Sequence, residues 1–296
     1  MKTGRNFLKS FLLGILILCC LLSAATAEGI LLVPQYALDK RMTVADEIAE
    51  RLGVEVALGE DEDALIKQAI ENPEMLLLET QSAIIRGLQG YQGGELSETM
   101  QPVARVDSEP LYLVMLKDKA AELEIGNGSD LLNYVAENEY ELLLGRYIYA
   151  CVKDMTATEI CNQISIFSEY YYDEEIDEAL HNDEIQLALN SESELPTRTE
   201  DLLVLATTGA ERGSNAPEVP TLTELGVEVS QEINFWLLAS KQAGQDRIAE
   251  WTEMLLNGDP IGNRVLTGEE AENEMQESAA AIEQYLTAEG LFFYRQ

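Results

Sequence analysis

The chain has 296 residues, with 54 Asp and Glu against 19 Lys and Arg, so its formal net charge is −35 at pH 7. Such an acidic chain repels phosphate backbones and anionic lipids, which argues against nucleic acid and membrane surfaces as partners. The length fits one two-lobed protein or two modest domains, each with a substantial core.

The first 27 residues have the pattern of a secretory signal peptide. Lys2, Arg5 and Lys9 precede an apolar run over residues 11–22, and small residues ending at Ala27 follow it. This order predicts cleavage near Ala27 and export to the periplasm or the cell surface. The alternative is an uncleaved anchor helix, for which the apolar run is short.

After the signal, short apolar runs alternate with helical patterns. The first predicted strand, Ile30–Val33, precedes a helix that keeps its apolar residues on one face and ends at Gly53. Further strands are predicted at Val54–Ala57, Met75–Leu78, Leu111–Leu116, Leu142–Leu144, Ile164–Phe167, Ile185–Leu189 and Leu202–Ala206. This alternation predicts an α/β fold with mainly parallel sheets flanked by helices. The acidic run over residues 59–63 is predicted to be a solvated loop.

Two polar stretches are predicted to connect two lobes. The first is a turn at residues 107–110, and the second lies near residues 226–233. They assign residues 28–108 and 227–296 to lobe I and residues 109–226 to lobe II. A chain that crosses twice between lobes encloses a cleft that can close on a solute by hinge motion.

Catalytic and metal signatures are weak. The single histidine, His181, lies in an acidic segment, and the chain has no Gly-x-Ser-x-Gly elbow. No spacing of His and Cys suits zinc, so we expect no enzyme activity, no metal and no cofactor. Cys151 and Cys161 are the cysteines that remain after cleavage. Export permits a disulfide between them, and the sequence leaves their pairing open.

The stretch LVLATTGAERGSNAPEVPTLTELG, residues 203–226, combines a buried strand with a helix start. Thr221 and Glu224 have the spacing of a capping box. The string resembles the "LAvTsakR…lPdvPTvaEaG" signature of the tripartite tricarboxylate transporter receptors (the TctC/Bug family), and Pro102–Val106 resembles their "tPVAlv" segment. The resemblance implies the two-lobed type II periplasmic-binding-protein fold. It also implies a monomer that captures a small organic solute, of the carboxylate class, and delivers it to membrane subunits of a tripartite tricarboxylate transporter.

The three glycine loops with which this family binds carboxylates have no counterpart in the sequence. Side chains would have to replace their backbone donors, and the candidates at the predicted strand ends and loops are Tyr36, Asp39, Thr80, Gln81, Ser82, Arg146, Tyr147 and Tyr170. Several of these residues have a structural alternative: Arg146 pairs with a carboxylate, Asp39 caps its helix and the tyrosines pack. The loss of the loops also leaves a second function open, a ligand-sensing or protein-interacting receptor.

Overall fold

The computed structural model describes residues 29–35, 39–89, 99–195, 200–213, 216–259, 261–262 and 265–291. Strands and helices alternate along most of this part of the chain. The first elements are β1 (Ile30–Pro34), α1 (Asp39–Leu52), β2 (Glu55–Gly59), α2 (Glu62–Glu71), β3 (Met75–Glu79), α3 (Gln81–Leu88) and β4 (Met100–Leu116). The middle elements are α4 (Lys117–Glu122), α5 (Gly128–Glu137), β5 (Leu143–Tyr147), α6 (Val152–Gln163), β6 (Phe167–Tyr171), α7 (Ile176–His181), β7 (Ala188–Ser191) and β8 (Leu202–Thr207). The last are β9 (Glu232–Ser240), α8 (Gln245–Leu256), β10 (Leu266–Thr267) and α9 (Gly268–Glu289).

The sheet of lobe I combines parallel and antiparallel strands. β1 lies between β2 and β3 and is parallel to both, with Leu31 opposite Val56 and Leu76. On its other side β3 pairs antiparallel with β9, and β9 in turn pairs antiparallel with β4. Lobe II contains β7 and β8, which pair antiparallel with β4, and the parallel pair β5 and β6.

A single strand of 17 residues, β4, runs through both sheets. Up to Pro110 it pairs with β9, and from Leu111 it pairs with β7 and β8. The predicted turn at residues 107–110 is therefore wrong, because this polar stretch lies inside the strand. Its side chains are buried rather than solvated, with Asp107 1% and Glu109 0% exposed.

Local sequence signals set several element ends. Gly53, with φ of 65°, ends α1 because its backbone enters the left-handed region that glycine adopts without a steric cost. Asp61 accepts a hydrogen bond from the Ala64 backbone N–H at 3.2 Å and caps α2. The solvated loop predicted over residues 59–63 is confirmed in part: Glu60 and Asp61 are exposed between β2 and α2. Glu62 and Asp63 instead begin the helix, where carboxylates offset the unpaired N–H groups.

The capping box at Thr221 is formed in both directions. The Glu224 backbone N–H donates to Thr221 Oγ1 at 3.0 Å, and the Thr221 N–H donates to Glu224 Oε2 at 2.8 Å. It opens only a single 3₁₀ turn, Thr223–Leu225, because Gly226 follows in the left-handed conformation and ends it.

Apolar side chains fill both faces of the lobe I sheet. On one face α1 and α8 contribute Ile48 and Trp251 to the core, and on the other α3 and α9 contribute Ile84 and Ile282. The second of these clusters also contains Met155, from α6 of lobe II. The start of α6 therefore packs against the helices of lobe I.

Candidate functional site

The carboxyl ends of strands from both lobes lie near the junction at the middle of β4. Glu79, the last residue of β3, lies opposite Trp236, four residues from the start of β9. Ser191, the last residue of β7, lies opposite Leu111, where β4 enters lobe II. In open α/β sheets ligands bind beyond the carboxyl ends of strands, so this junction is the candidate site.

A buried ion pair occupies the lobe I side of the junction. The Glu79 carboxylate is 0% exposed and lies 3.2 Å from Arg41 Nη1. It accepts hydrogen bonds from the Thr80 backbone N–H at 2.8 Å and from Ser82 Oγ at 3.0 Å. Burial raises the pKa of Glu79 to about 7, and this desolvation outweighs the opposing attraction of Arg41. Within the described part of the chain, Glu79 Oε2 and Arg41 Nε are buried without hydrogen-bond partners.

Gln81 ties the start of α3 to the edge of β9. Its Nε2 donates to the Glu232 carbonyl at 2.8 Å, and its Oε1 accepts from the Asn234 backbone N–H, also at 2.8 Å. The side chain thus continues the ladder of β9 beyond the end of β3. Thr80 is the N-cap of α3 and accepts from the Ser82 N–H at 3.3 Å. The structure brings Thr80, Gln81 and Ser82 together, each bonded within the protein.

Arg146 is part of a buried network between the lobes. Its Nε and Nη2 donate to the two carboxylate oxygens of Asp154 at 2.8 and 3.0 Å, and Nη2 also donates to Glu289 at 2.9 Å. The hydroxyl of Tyr285 donates to the same Asp154 carboxylate. Glu289 and Tyr285 belong to α9, which packs on lobe I, so this network joins lobe II to α9. Pairing with a carboxylate, the structural alternative, is the role that Arg146 has here.

Tyr147 and Tyr170, the predicted tyrosines that the structure describes, lie on opposite faces of the β5–β6 pair and do not form one aromatic pocket. Tyr170 is 49% exposed, with its ring centroid 4.6 Å from the Arg146 guanidinium and its hydroxyl 3.4 Å from Glu289. Tyr147 is buried in a hydrophobic cluster with Tyr112 and Ile176, and its hydroxyl donates to the Leu189 carbonyl at 3.2 Å. Tyr36 lies outside the described residues. Asp39 is the first residue of α1, and its side chain lies outside the described part as well.

A polar cavity of about 160 Å³ lies at the carboxyl ends of β5 and β7. Its lining includes Lys153, Asp173, Asn190 and Glu194, none of which was predicted from the sequence to bind a ligand. A usable signal was the Asn-Ser pair that directly follows the apolar run ending at Leu189. Polar residues at that position of a strand are the ones that face a ligand in this class of sheet.

Cys151 and Cys161, the cysteines in the described part of the chain, are free thiols. Cys151 is the N-cap of α6 and Cys161 lies in its last turns. Ten residues along an α-helix separate Cα atoms by about 15 Å, against the ~7 Å that a disulfide tolerates. The disulfide that the sequence left open is therefore incompatible with this helix.

Within the described residues, no helix combines the length and the apolar character of a membrane span. Nor do three or more His, Cys, Asp or Glu side chains of that part come together as a metal site requires.

Solved structures share this architecture at low sequence identity. A TctC solute-binding protein from Polaromonas superposes with a TM-score of 0.69 at 14% identity, over 90% of this chain and 100% of that one. The chain adopts the TctC/Bug fold. R. palustris Rpa4515, solved with adipate, gives 0.66 at 18% identity over 90% and 99% of the two chains. MatC from Rhodopseudomonas palustris, solved with malate, gives 0.59 at 16% identity over 87% and 98%. No family model and no curated protein matches the sequence.

These likenesses confirm the predicted fold class, a two-lobed periplasmic-binding-protein-like α/β fold. They also agree with the resemblance drawn from residues 203–226. The strand of that stretch is β8, and the loop after it returns the capping box to the strand's end, where the Thr207 N–H donates to the Pro220 carbonyl at 2.9 Å. Arg212 in the same stretch donates to Glu224 at 2.8 Å and to the Pro217 carbonyl at 3.3 Å, which fixes the loop between them.

Proposed function

We propose that this protein is an exported solute-binding protein that captures a small organic solute between its lobes. The observation that supports it is the convergence of strand ends from two sheets on the one strand, β4, that both sheets share. Among the described residues, buried polar atoms without hydrogen-bond partners lie on both sides of that junction: Glu79 Oε2 on one side, and Oδ1 and Nδ2 of Asn190 on the other. Such groups are costly to bury unless a ligand or water satisfies them.

The resemblance extends this proposal to the ligand class and the destination. Two proteins of the same fold were solved with adipate and malate, both dicarboxylates. We infer a small organic solute, carboxylate in class by this likeness, and delivery to the membrane subunits of a tripartite tricarboxylate transporter. The protein would act as a monomer, without enzyme activity, in the periplasm or at the cell surface after cleavage near Ala27. We further propose that the two lobes meet between residues 108 and 109 and between residues 226 and 227.

A second candidate function is a receptor that senses a ligand or binds a protein partner without feeding a transporter. The geometry of Arg146 favours it in one respect. The cation that could have replaced the missing glycine loops is bonded to Asp154 and Glu289. Genes adjacent to this one would discriminate: two transporter membrane subunits favour uptake, and a sensor kinase favours signalling.

The capture of a solute can be tested on the mature protein with two independent measurements. Thermal unfolding is recorded with di- and tricarboxylates, amino acids, amines and aromatic acids, and the protein is unfolded and refolded first to release any co-purified solute. Small-angle X-ray scattering then checks whether a stabilising solute reduces the radius of gyration, as closure of two lobes requires. We expect stabilisation by a narrow set of solutes. A flat response to every class, with no small molecule released on unfolding, would refute capture.

A further inference from the structure

The polar cavity at the end of β7, called the Asn190 cavity below, is built around a buried amide. Asn190 is 1% exposed, and both its Oδ1 and its Nδ2 lack hydrogen-bond partners among the described atoms. Its position opposite Tyr112 places its side chain on the same sheet face as Ala188, toward Tyr147 and Ile176. A buried amide whose oxygen and N–H₂ group both lack partners requires an occupant that offers a hydrogen-bond donor and an acceptor.

The charges around the Asn190 cavity favour a cationic occupant. Asp173, Asp177 and Glu194 line it, against the single ammonium of Lys153. That ammonium donates to both Glu194 oxygens, at 2.9 and 3.0 Å, and lies 3.9 Å from Asp173. The lining thus carries two more negative charges than positive ones. A second carboxylate placed here would meet net repulsion, whereas an ammonium would meet net attraction.

The size and position of the cavity limit the occupant. A volume of about 160 Å³ corresponds to about five water molecules. Asn190 and Leu189 form the buried end, while Asp173 and Asp177 are exposed at the rim. A linear solute of five to seven non-hydrogen atoms, as an order of magnitude, can enter here with its charged end toward Asn190.

We propose that the Asn190 cavity binds the protonated amino group of a small organic amine. This inference rests on the proposed capture function and names the chemistry of the solute's lobe II end. The Asn190 carbonyl oxygen accepts an ammonium N–H, and the rim carboxylates supply the charge. The Asn190 N–H₂ group donates to a polar oxygen or water carried with the solute.

Three solutes with the same four-carbon backbone test the proposal by isothermal titration calorimetry: 1,4-diaminobutane, 4-aminobutanoate and butanedioate. The variant Asn190→Leu keeps the number and branching of the side-chain heavy atoms and removes the amide acceptor and donor that lack partners. Asn182→Leu, an exposed asparagine directly after α7, is the matched control. We expect one or both amines to bind to the wild type and the control, and at least tenfold more weakly to Asn190→Leu. Which amine binds tells a free diamine from an amino acid.

The stability of the unliganded variant separates binding from folding. Because Asn190→Leu removes a buried unpaired amide, its melting temperature without solute should equal or exceed that of the wild type. Binding of butanedioate alone, unaffected by the variant, would overturn the amine assignment and leave the capture function standing. Amine binding that survives Asn190→Leu would also overturn it. Absence of binding by every solute class would refute both proposals.

Discussion

Replacing Arg146 with methionine removes the cation from the network between α6 and α9 and keeps most of the side-chain volume. Asp154, 0% exposed, then loses hydrogen bonds of 2.8 and 3.0 Å, and Glu289 loses one of 2.9 Å. Asp154 keeps the Tyr285 hydroxyl and the Tyr147 backbone N–H, the latter at 3.3 Å. A buried carboxylate is left without its counterion.

The magnitude follows from what remains around Asp154. Breaking a buried ion pair by removing one partner costs about 3–5 kcal/mol, because the other charge stays desolvated. Because Asp154 keeps two hydrogen-bond donors, we expect Arg146→Met to lower the free energy of unfolding by about 3 kcal/mol, near the lower end of that range. The matched control is Arg212→Met, which removes a similar Arg–carboxylate pair whose side chains are 45% and 46% exposed. That pair lies in solvent, where screening weakens it, so its loss should cost far less than that of Arg146.

Urea unfolding of the mature protein at pH 7.5 measures both values. Trp236 and Trp251 are 1% and 2% exposed, so their fluorescence reports lobe I, and far-ultraviolet circular dichroism reports the whole chain. If Arg146→Met loses no more unfolding free energy than Arg212→Met, the network does not stabilise the fold as argued. A partial recovery in Arg146→Met/Asp154→Leu would identify the stranded carboxylate as the cause.

Three further predictions concern other buried groups. The folded-state pKa of Glu79 is raised from 4.5 to about 7, so the folded protein binds more protons than the unfolded chain between these values. The free energy of unfolding should therefore fall as pH rises from about 4.5 to 7. Glu79→Gln should flatten that fall, whatever its offset from wild type, since it also leaves the buried Arg41 without its counterion; parallel curves would contradict this. Gln81→Ala leaves the Asn234 N–H unpaired at the edge of β9 and should cost about 1–3 kcal/mol in the same urea assay; an unchanged free energy of unfolding would contradict this. Alkylation of the denatured, unreduced mature protein should label both Cys151 and Cys161, as mass spectrometry would read from the mass gain; a mass two hydrogens short, with no label, would contradict the free thiols.

Much of the framework could be predicted because it depends on local signals. Apolar runs at Ile30–Val33 and Leu202–Ala206 became β1 and β8, and Gly53 ended the first helix as expected. The strand predicted at Ile164–Phe167 is displaced in the structure: β6 begins only at Phe167, because Ile164 is the C-cap of α6. Periodicity cannot separate the last turn of a helix from the start of a strand when both are apolar.

The junction was harder to predict, since polar residues read as loops in sequence. Residues 107–110 combine Asp, Ser, Glu and Pro, a turn composition, yet they continue β4. Tertiary pairing decides their state, because β9 supplies a partner along the whole stretch. Of the predicted candidates, Thr80, Gln81 and Ser82 lie at the junction. Lys153 and Asn190 were not predicted, because their proximity depends on contacts between segments far apart in sequence.

The passage of β4 through both sheets has a consequence for cooperativity. In each lobe this strand lies between neighbours, so neither core can lose it without breaking the ladder of the other. Unfolding of lobe II would pull apart the pairing of Asp107 with Phe235 in lobe I. Two bodies with separate cores would ordinarily melt in two steps. Here the shared backbone couples them, and calorimetry of the unliganded protein should record one transition.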